Sequence, residues 1–168
     1  FPEKISVAVF VTAFVPGTRQ SPAYVLEKFL ELPVEYWEDT QFWRWSGGGG
    51  EVLTTMGFGQ KFLRCKLYAR CSGEDLALAE ALMRPGSLFI EDLRRAEDFS
   101  EEGYGSVRKV FVICGMDMAV TAAFQRWMIG NSGVERVVEM AESDHMPMLS
   151  MPAQLCRRLL EIAEELPN

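Results

Sequence analysis

Lys109-Val-Phe-Val-Ile-Cys114-Gly-Met-Asp117 is the stretch on which the fold turns. Its apolar run, Val110 to Cys114, shows no polar alternation, the composition of a strand buried on both faces in a parallel sheet. Gly115 closes the run and Asp117 follows at once. About one helix and one strand later stands the chain's only histidine, in Ser143-Asp-His145-Met-Pro-Met148. A carboxylate past one strand end and a histidine past the next fit a catalytic triad whose chain order is Ser…Asp…His. Asp117 would then hold His145 in one tautomer, and His145 would move the nucleophile's proton. Asp144, as the immediate neighbour of His145, is badly placed to reach Nδ1 and reads as a loop carboxylate.

Downstream, Ala122 to Ile129 reads as a helix with Phe124, Trp127 and Met128 facing one core, ended by Gly130. Val134 to Met140 is the next strand. Pro152 to Leu166 is the last helix, with Leu155, Leu159, Ile162 and Leu166 on one face. Strands alternating with helices imply a parallel sheet, an α/β fold. Upstream, Ile5 to Phe14 is a second continuous apolar run, stopped by Pro16-Gly17. Such a strand at the head of a chain expects neighbours that come before it.

Between these runs the rhythm changes. Ser21-Pro22 opens a helix as N-cap and first turn, with Val25, Leu26, Phe29 and Leu30 on its apolar face. Tyr36, Trp37, Phe42, Trp43 and Trp45 crowd together without strand alternation, a lid over a pocket or a satellite core. Gly47 to Gly50 is a flexible connection, and Glu51 to Met56 a short strand. Phe58 to Arg70 reads as helical. Ser72-Gly-Glu-Asp75 is a capping box for a helix through Leu82, ended by Pro85-Gly86. Ser87 to Ala96 is a further short helix. Residues 21–104 therefore read as an inserted, mainly helical cap, and residues 1–20 and 105–168 as the α/β core.

The 168 residues are 48% hydrophobic and 24% charged, as one compact domain requires. A net charge of −7 and a sequence pI near 4.8 argue against a nucleic-acid partner, which calls for a basic patch. Cys65, Cys71, Cys114 and Cys156 have no metal-ligand spacing and read as reduced thiols, so no cofactor is expected. No apolar run approaches the roughly 18 residues of a membrane span. The expected setting is the cytoplasm, without a membrane partner. Because the chain opens on Phe1, the natural start and any targeting peptide are expected to lie upstream.

The serine is what the pattern does not supply. Gly130-Asn-Ser132-Gly133-Val134 comes nearest to a Gly-x-Ser-x-Gly elbow, but it lacks the second glycine and follows a helix rather than a strand. No other serine has glycines two residues before and after it.

Several segments carry a resemblance. Trp37-Glu-Asp-Thr-Gln-Phe42, Gly59-Gln-Lys-Phe62, Cys71-Ser-Gly-Glu-Asp-Leu-Ala-Leu-Ala79 and Arg84-Pro-Gly-Ser-Leu-Phe89 resemble the plant methylesterase family of α/β-hydrolases. So do Phe124-Gln-Arg-Trp127, Asp144-His-Met-Pro-Met-Leu149 and Leu155-Cys-Arg-Arg-Leu-Leu-Glu-Ile-Ala163. The resemblance implies that the chain is the C-terminal part of that fold, with the oxyanion segment and nucleophile elbow lying before its first residue. It implies the triad aspartate at Asp117 and the triad histidine at His145. It also implies a substrate pocket formed by Phe14, Phe29, Trp37, Phe42, Met56, Leu88 and Met146. The family loop after the aspartate usually carries a proline, where this chain has Val120-Thr121. The related hydroxynitrile lyases place a lysine after the histidine; here Met146 stands, which favours ester hydrolysis.

The function so implied is a carboxylesterase acting on small methyl esters of plant hormones, of the salicylate, jasmonate or indole-acetate type. The ligand is a small ester or carboxylic acid, and a homodimer stays open. The chain by itself, without the serine, is expected to be inactive and weakly stable. The alternatives are a non-catalytic ligand-binding remnant and, behind it, a hydroxynitrile lyase.

Overall fold

The computed structural model describes residues 1–46 and 52–165. The glycine connection at 47–50, Glu51 and the last helical position expected at Leu166 lie outside them.

Three strands form a parallel sheet: β1 (Ala8–Val11), β5 (Lys109–Cys114) and β6 (Arg136–Met140), in the order β1-β5-β6. The register aligns Ala8 with Lys109 and Val11 with Val112 on one side. On the other, Val110 aligns with Arg136 and Cys114 with Met140. All six β5 residues are buried. The reason is visible in how its side chains divide. Phe111 and Ile113 pack with Met128 on one face, while Val110 and Val112 pack with Leu155 and Ile162 on the other. Two cores on two faces demand apolar residues from Val110 to Cys114, hence the unbroken run. The run at 5–14 shortens to four half-buried residues in β1, which pairs with a strand on one side only among the described residues.

Helix α5 (Ala122–Ser132) covers one face; the short α6 (Pro147–Ser150) leads into α7 (Pro152–Glu164), which covers the other. Thr121 caps α5 by accepting the Phe124 N–H. The helix runs past Gly130 and ends at Gly133, whose φ of +69° is the left-handed turn that glycine takes without strain.

The 21–104 segment contains α1 (Tyr24–Leu30), α2 (Gln60–Phe62), α3 (Gly73–Leu82) and α4 (Ile90–Arg95). Ser72 caps α3 as expected, accepting the Asp75 N–H. Ser21 does not cap α1, which starts after Ala23 without a side-chain cap. The same segment also holds an antiparallel sheet of β2 (Gln41–Ser46), β3 (Val52–Gly57) and β4 (Gly86–Ser87). Strand β2 escaped the sequence reading because only Trp43 along it is even half-buried, so no period-two signal exists. Gly57 makes room for the Trp43 ring, which a Cβ there would meet at 2.8 Å.

After α2 the chain tightens into a π-helical turn, Leu63–Leu67. Asp39 caps α2, accepting the Lys61 and Phe62 N–H groups at 2.8 and 2.9 Å. Together α2 and the turn bury Phe62, Leu63 and Leu67 beside Trp37. Among the described residues, no helix is long and apolar enough to cross a membrane.

Candidate active site

Asp117 sits just past the end of β5 with its side chain fully buried. Its Oδ1 accepts the backbone N–H groups of Ala119 and Val120, both at 2.8 Å. Its Oδ2 lies 2.8 Å from Nδ1 of His145 and 3.3 Å from Nε2 of Gln125. With Oδ1 held by two amides, Oδ2 is aimed at the imidazole. A carboxylate accepts, so Nδ1 carries the proton and neutral His145 presents Nε2 as a bare acceptor. That is the form of a general base. Among the described residues, no side chain hydrogen-bonds Nε2.

Gln125 is a residue the sequence reading passed over. It is fully buried, and it reaches back across the end of β5. Its Oε1 accepts the Cys114 N–H at 3.0 Å, and its Nε2 lies 3.2 Å from the Cys114 carbonyl, 2.6 Å from that of Val120 and 3.3 Å from Asp117. The sequence did hold a signal: Gln125 stands three residues before Met128, on the apolar side of α5. A polar side chain there must find partners.

Asp144 is more than a loop carboxylate. It has no exposed surface. Its Oδ1 accepts the Met146 N–H at 3.1 Å and the Ser150 hydroxyl at 2.6 Å. Its Oδ2 accepts the Arg70 N–H at 2.8 Å and the Cys71 thiol at 3.6 Å. It does not touch the imidazole; it braces the loop that carries it. Burial, and next the Asp144 charge, push the Cys71 thiol up to about 12, so it remains the protonated donor.

Beside His145 opens a cavity of about 260 Å³, near the small end of ligand sites. Phe14, Phe29, Trp37, Met56 and Leu88 line it, together with Phe58, Phe62 and Leu67. Two expected pocket residues stand elsewhere. Phe42 is 41% exposed and meets the Trp37 ring at 5.1 Å, backing the wall rather than forming it. Met146 packs against the Trp37–Phe62 cluster, off the lining. Thr12 is a wall residue that was not expected; its signal was a hydroxyl interrupting the apolar run from Val7 to Phe14. Tyr36 packs behind Phe29 and Trp37 with its hydroxyl buried and unpartnered among the described residues. Burial, then the Asp117 charge, raise its pKa above the ordinary value.

Ser132, the nearest serine by motif, ends α5 and donates to the Ile129 carbonyl at 3.4 Å. It lines a separate polar cavity with Thr18, Gln20 and Lys109, not the one beside His145. It is no partner for the pair.

No family model matches the sequence. Salicylic acid-binding protein 2 of Nicotiana tabacum is 49% identical over 166 residues, 98% of this chain and 64% of its own length. Methylesterase 1 of Arabidopsis thaliana is also 49% identical over 166 residues, 62% of its length. The crystal structure of polyneuridine aldehyde esterase superposes with a TM-score of 0.90 at 41% identity, covering 96% of this chain and 64% of that one. The chain thus spans a little under two thirds of the length of these relatives. At this identity over nearly all of its own length, and on a superposable α/β-hydrolase fold with a parallel sheet and flanking helices, the chain is a homologue of plant methylesterases.

Proposed function

We propose that Asp117 and His145 are the orienting acid and the general base of a serine-type carboxylesterase for small methyl esters of plant hormones. The observation that carries this reading is the placement of His145. Its Nδ1 is held at 2.8 Å by a buried carboxylate, while the residue itself borders an apolar cavity. In the reaction, Nε2 takes the proton of a serine hydroxyl as its oxygen bonds to the ester carbonyl carbon. The resulting imidazolium then gives that proton to the departing methoxide, and methanol leaves. Water, deprotonated in turn by His145, releases the acid and regenerates the hydroxyl.

The cavity wall supports a flat or acyl-chain substrate. Phe14, Phe29, Trp37, Phe58 and Phe62 offer ring edges and faces, with little to grip a polar chain. Met146, an uncharged thioether directly after the base, supports ester hydrolysis over cyanohydrin cleavage. Residues 21–104 act in this reading as the cap and residues 1–20 and 105–168 as the core.

For the 168 residues alone the reading is narrower: they bind a small ester or acid without hydrolysing it. No hydroxyl among the described residues hydrogen-bonds Nε2, and loss of a nucleophile costs orders of magnitude in rate. The test is hydrolysis of methyl salicylate and 4-nitrophenyl acetate by this chain and by His145→Ala. Equal, background-level rates are expected; turnover that depends on His145 would overturn the narrower reading.

A further inference from the structure

Fourteen residues line the cavity beside His145, and twelve of them are apolar. Among the described residues, Thr12 and His145 are the lining residues that bring a polar side chain to it besides the indole of Trp37. Thr12 follows β1 directly and is 5% exposed. Its φ is +48°, a left-handed conformation that suits glycine or asparagine and is a genuine outlier for a β-branched residue. Strain of that kind persists where a site over-determines it. A glycine would relieve the backbone and an alanine would keep the wall apolar; threonine adds only a hydroxyl and a methyl.

That hydroxyl is poorly used. Oγ1 donates to the His145 carbonyl oxygen at 3.4 Å, at the long limit of a hydrogen bond. A buried donor with so weak a partner gains by exchanging it for a better acceptor.

We infer that Thr12 is the polar anchor of the cavity, donating from Oγ1 to the carbonyl or carboxylate oxygen of an otherwise apolar ligand. This rests on the cavity beside His145 being the ligand site. The ligand class follows: a compact ester or acid with its oxygens at one end, oriented so that the oxygen end meets Thr12 and His145. A hydrocarbon of the same shape gains nothing from the hydroxyl. Thr12 is thus a specificity-determining residue, separating oxygen-bearing ligands from shape-matched hydrocarbons.

The test compares methyl benzoate with sec-butylbenzene, a hydrocarbon with the same number and branching of heavy atoms, binding to the 168-residue chain by ligand-observed NMR. Thr12→Val keeps the branching and the volume and removes only the hydroxyl; Thr12→Ser keeps the hydroxyl. Expected is a roughly three- to tenfold weaker grip on methyl benzoate in Thr12→Val, with sec-butylbenzene unchanged and Thr12→Ser close to wild type. Unchanged methyl benzoate affinity in Thr12→Val, or equal loss of both probes, overturns the anchor while leaving the cavity as the ligand site. Failure of both probes to bind the wild-type chain removes the cavity itself, and the anchor falls with it.

Discussion

The Oδ2 of Asp144 accepts the backbone N–H of Arg70 at 2.8 Å, joining chain positions 74 residues apart. One carboxylate thereby links the turn at Arg70 to the loop of the candidate base, because its other oxygen holds Met146 and Ser150 on the far side of His145. His145 receives its orientation from Asp117 and its footing from Asp144.

Asp144→Asn should therefore destabilise far more than its surface neighbour. An amide keeps one acceptor oxygen but points an N–H at donors, leaving at least one buried group unsatisfied. We expect a loss of about 2–4 kcal/mol in urea unfolding. Glu142→Gln breaks only an exposed 3.4 Å contact with Arg70 and should cost less than about 1 kcal/mol. Equal effects would show that Asp144 is not a brace.

Gln125→Met removes the staple across the β5 end at nearly constant volume. The Cys114 N–H and the Val120 carbonyl lose their partners in a dry interior, for an expected cost of roughly 2–4 kcal/mol in the same assay. A change under about 0.5 kcal/mol would mean that these groups find other partners.

Two glycines three residues apart should respond with opposite signs. Gly133, at φ +69°, resists a side chain, so Gly133→Ala should destabilise by about 1 kcal/mol. Gly130 lies inside α5, and a Cβ added there would meet nothing within 4 Å. Gly130→Ala should stabilise by roughly 0.5–1 kcal/mol. Thermal melts of the two variants check both.

Stability should fall on the alkaline side. Burial raises the Cys71 thiol from 9.0 to about 12 and the Cys114 thiol from 9.0 to about 11. A thiol with a raised folded-state pKa stabilises fully below the unfolded value and loses that contribution as pH climbs through the folded one. Melting temperature should therefore hold below pH 9 and drop between pH 9 and 12, with a shallower drop in Cys71→Ala. An identical slope in that variant would discount Cys71.

What could be read from residues alone follows physical lines. The parallel sheet was legible at Val110–Cys114 because a strand buried on two faces writes an unbroken apolar run. Asp117 and His145 were legible because strand ends can be counted. Strand β2 was not, since its side chains are mostly exposed and its pairing is made by backbone groups. The brace at Asp144 was hidden for the same reason: its key partner is a backbone N–H, and any residue at position 70 except proline supplies one. Phe42 and Met146 are apolar and close to the cavity, but sequence cannot say which side of a wall a residue occupies.

Asp117 holds His145 with Nε2 bare, and the single histidine makes that directly measurable. Imidazole ¹⁵N and ¹H NMR of the folded chain at neutral pH should show a protonated, slowly exchanging Nδ1 and an unprotonated Nε2. In Asp117→Asn the side-chain amide can donate, and the tautomer should shift away from Nδ1–H. An imidazole that exchanges freely between tautomers and is indifferent to Asp117→Asn would mean that Asp117 does not hold the ring.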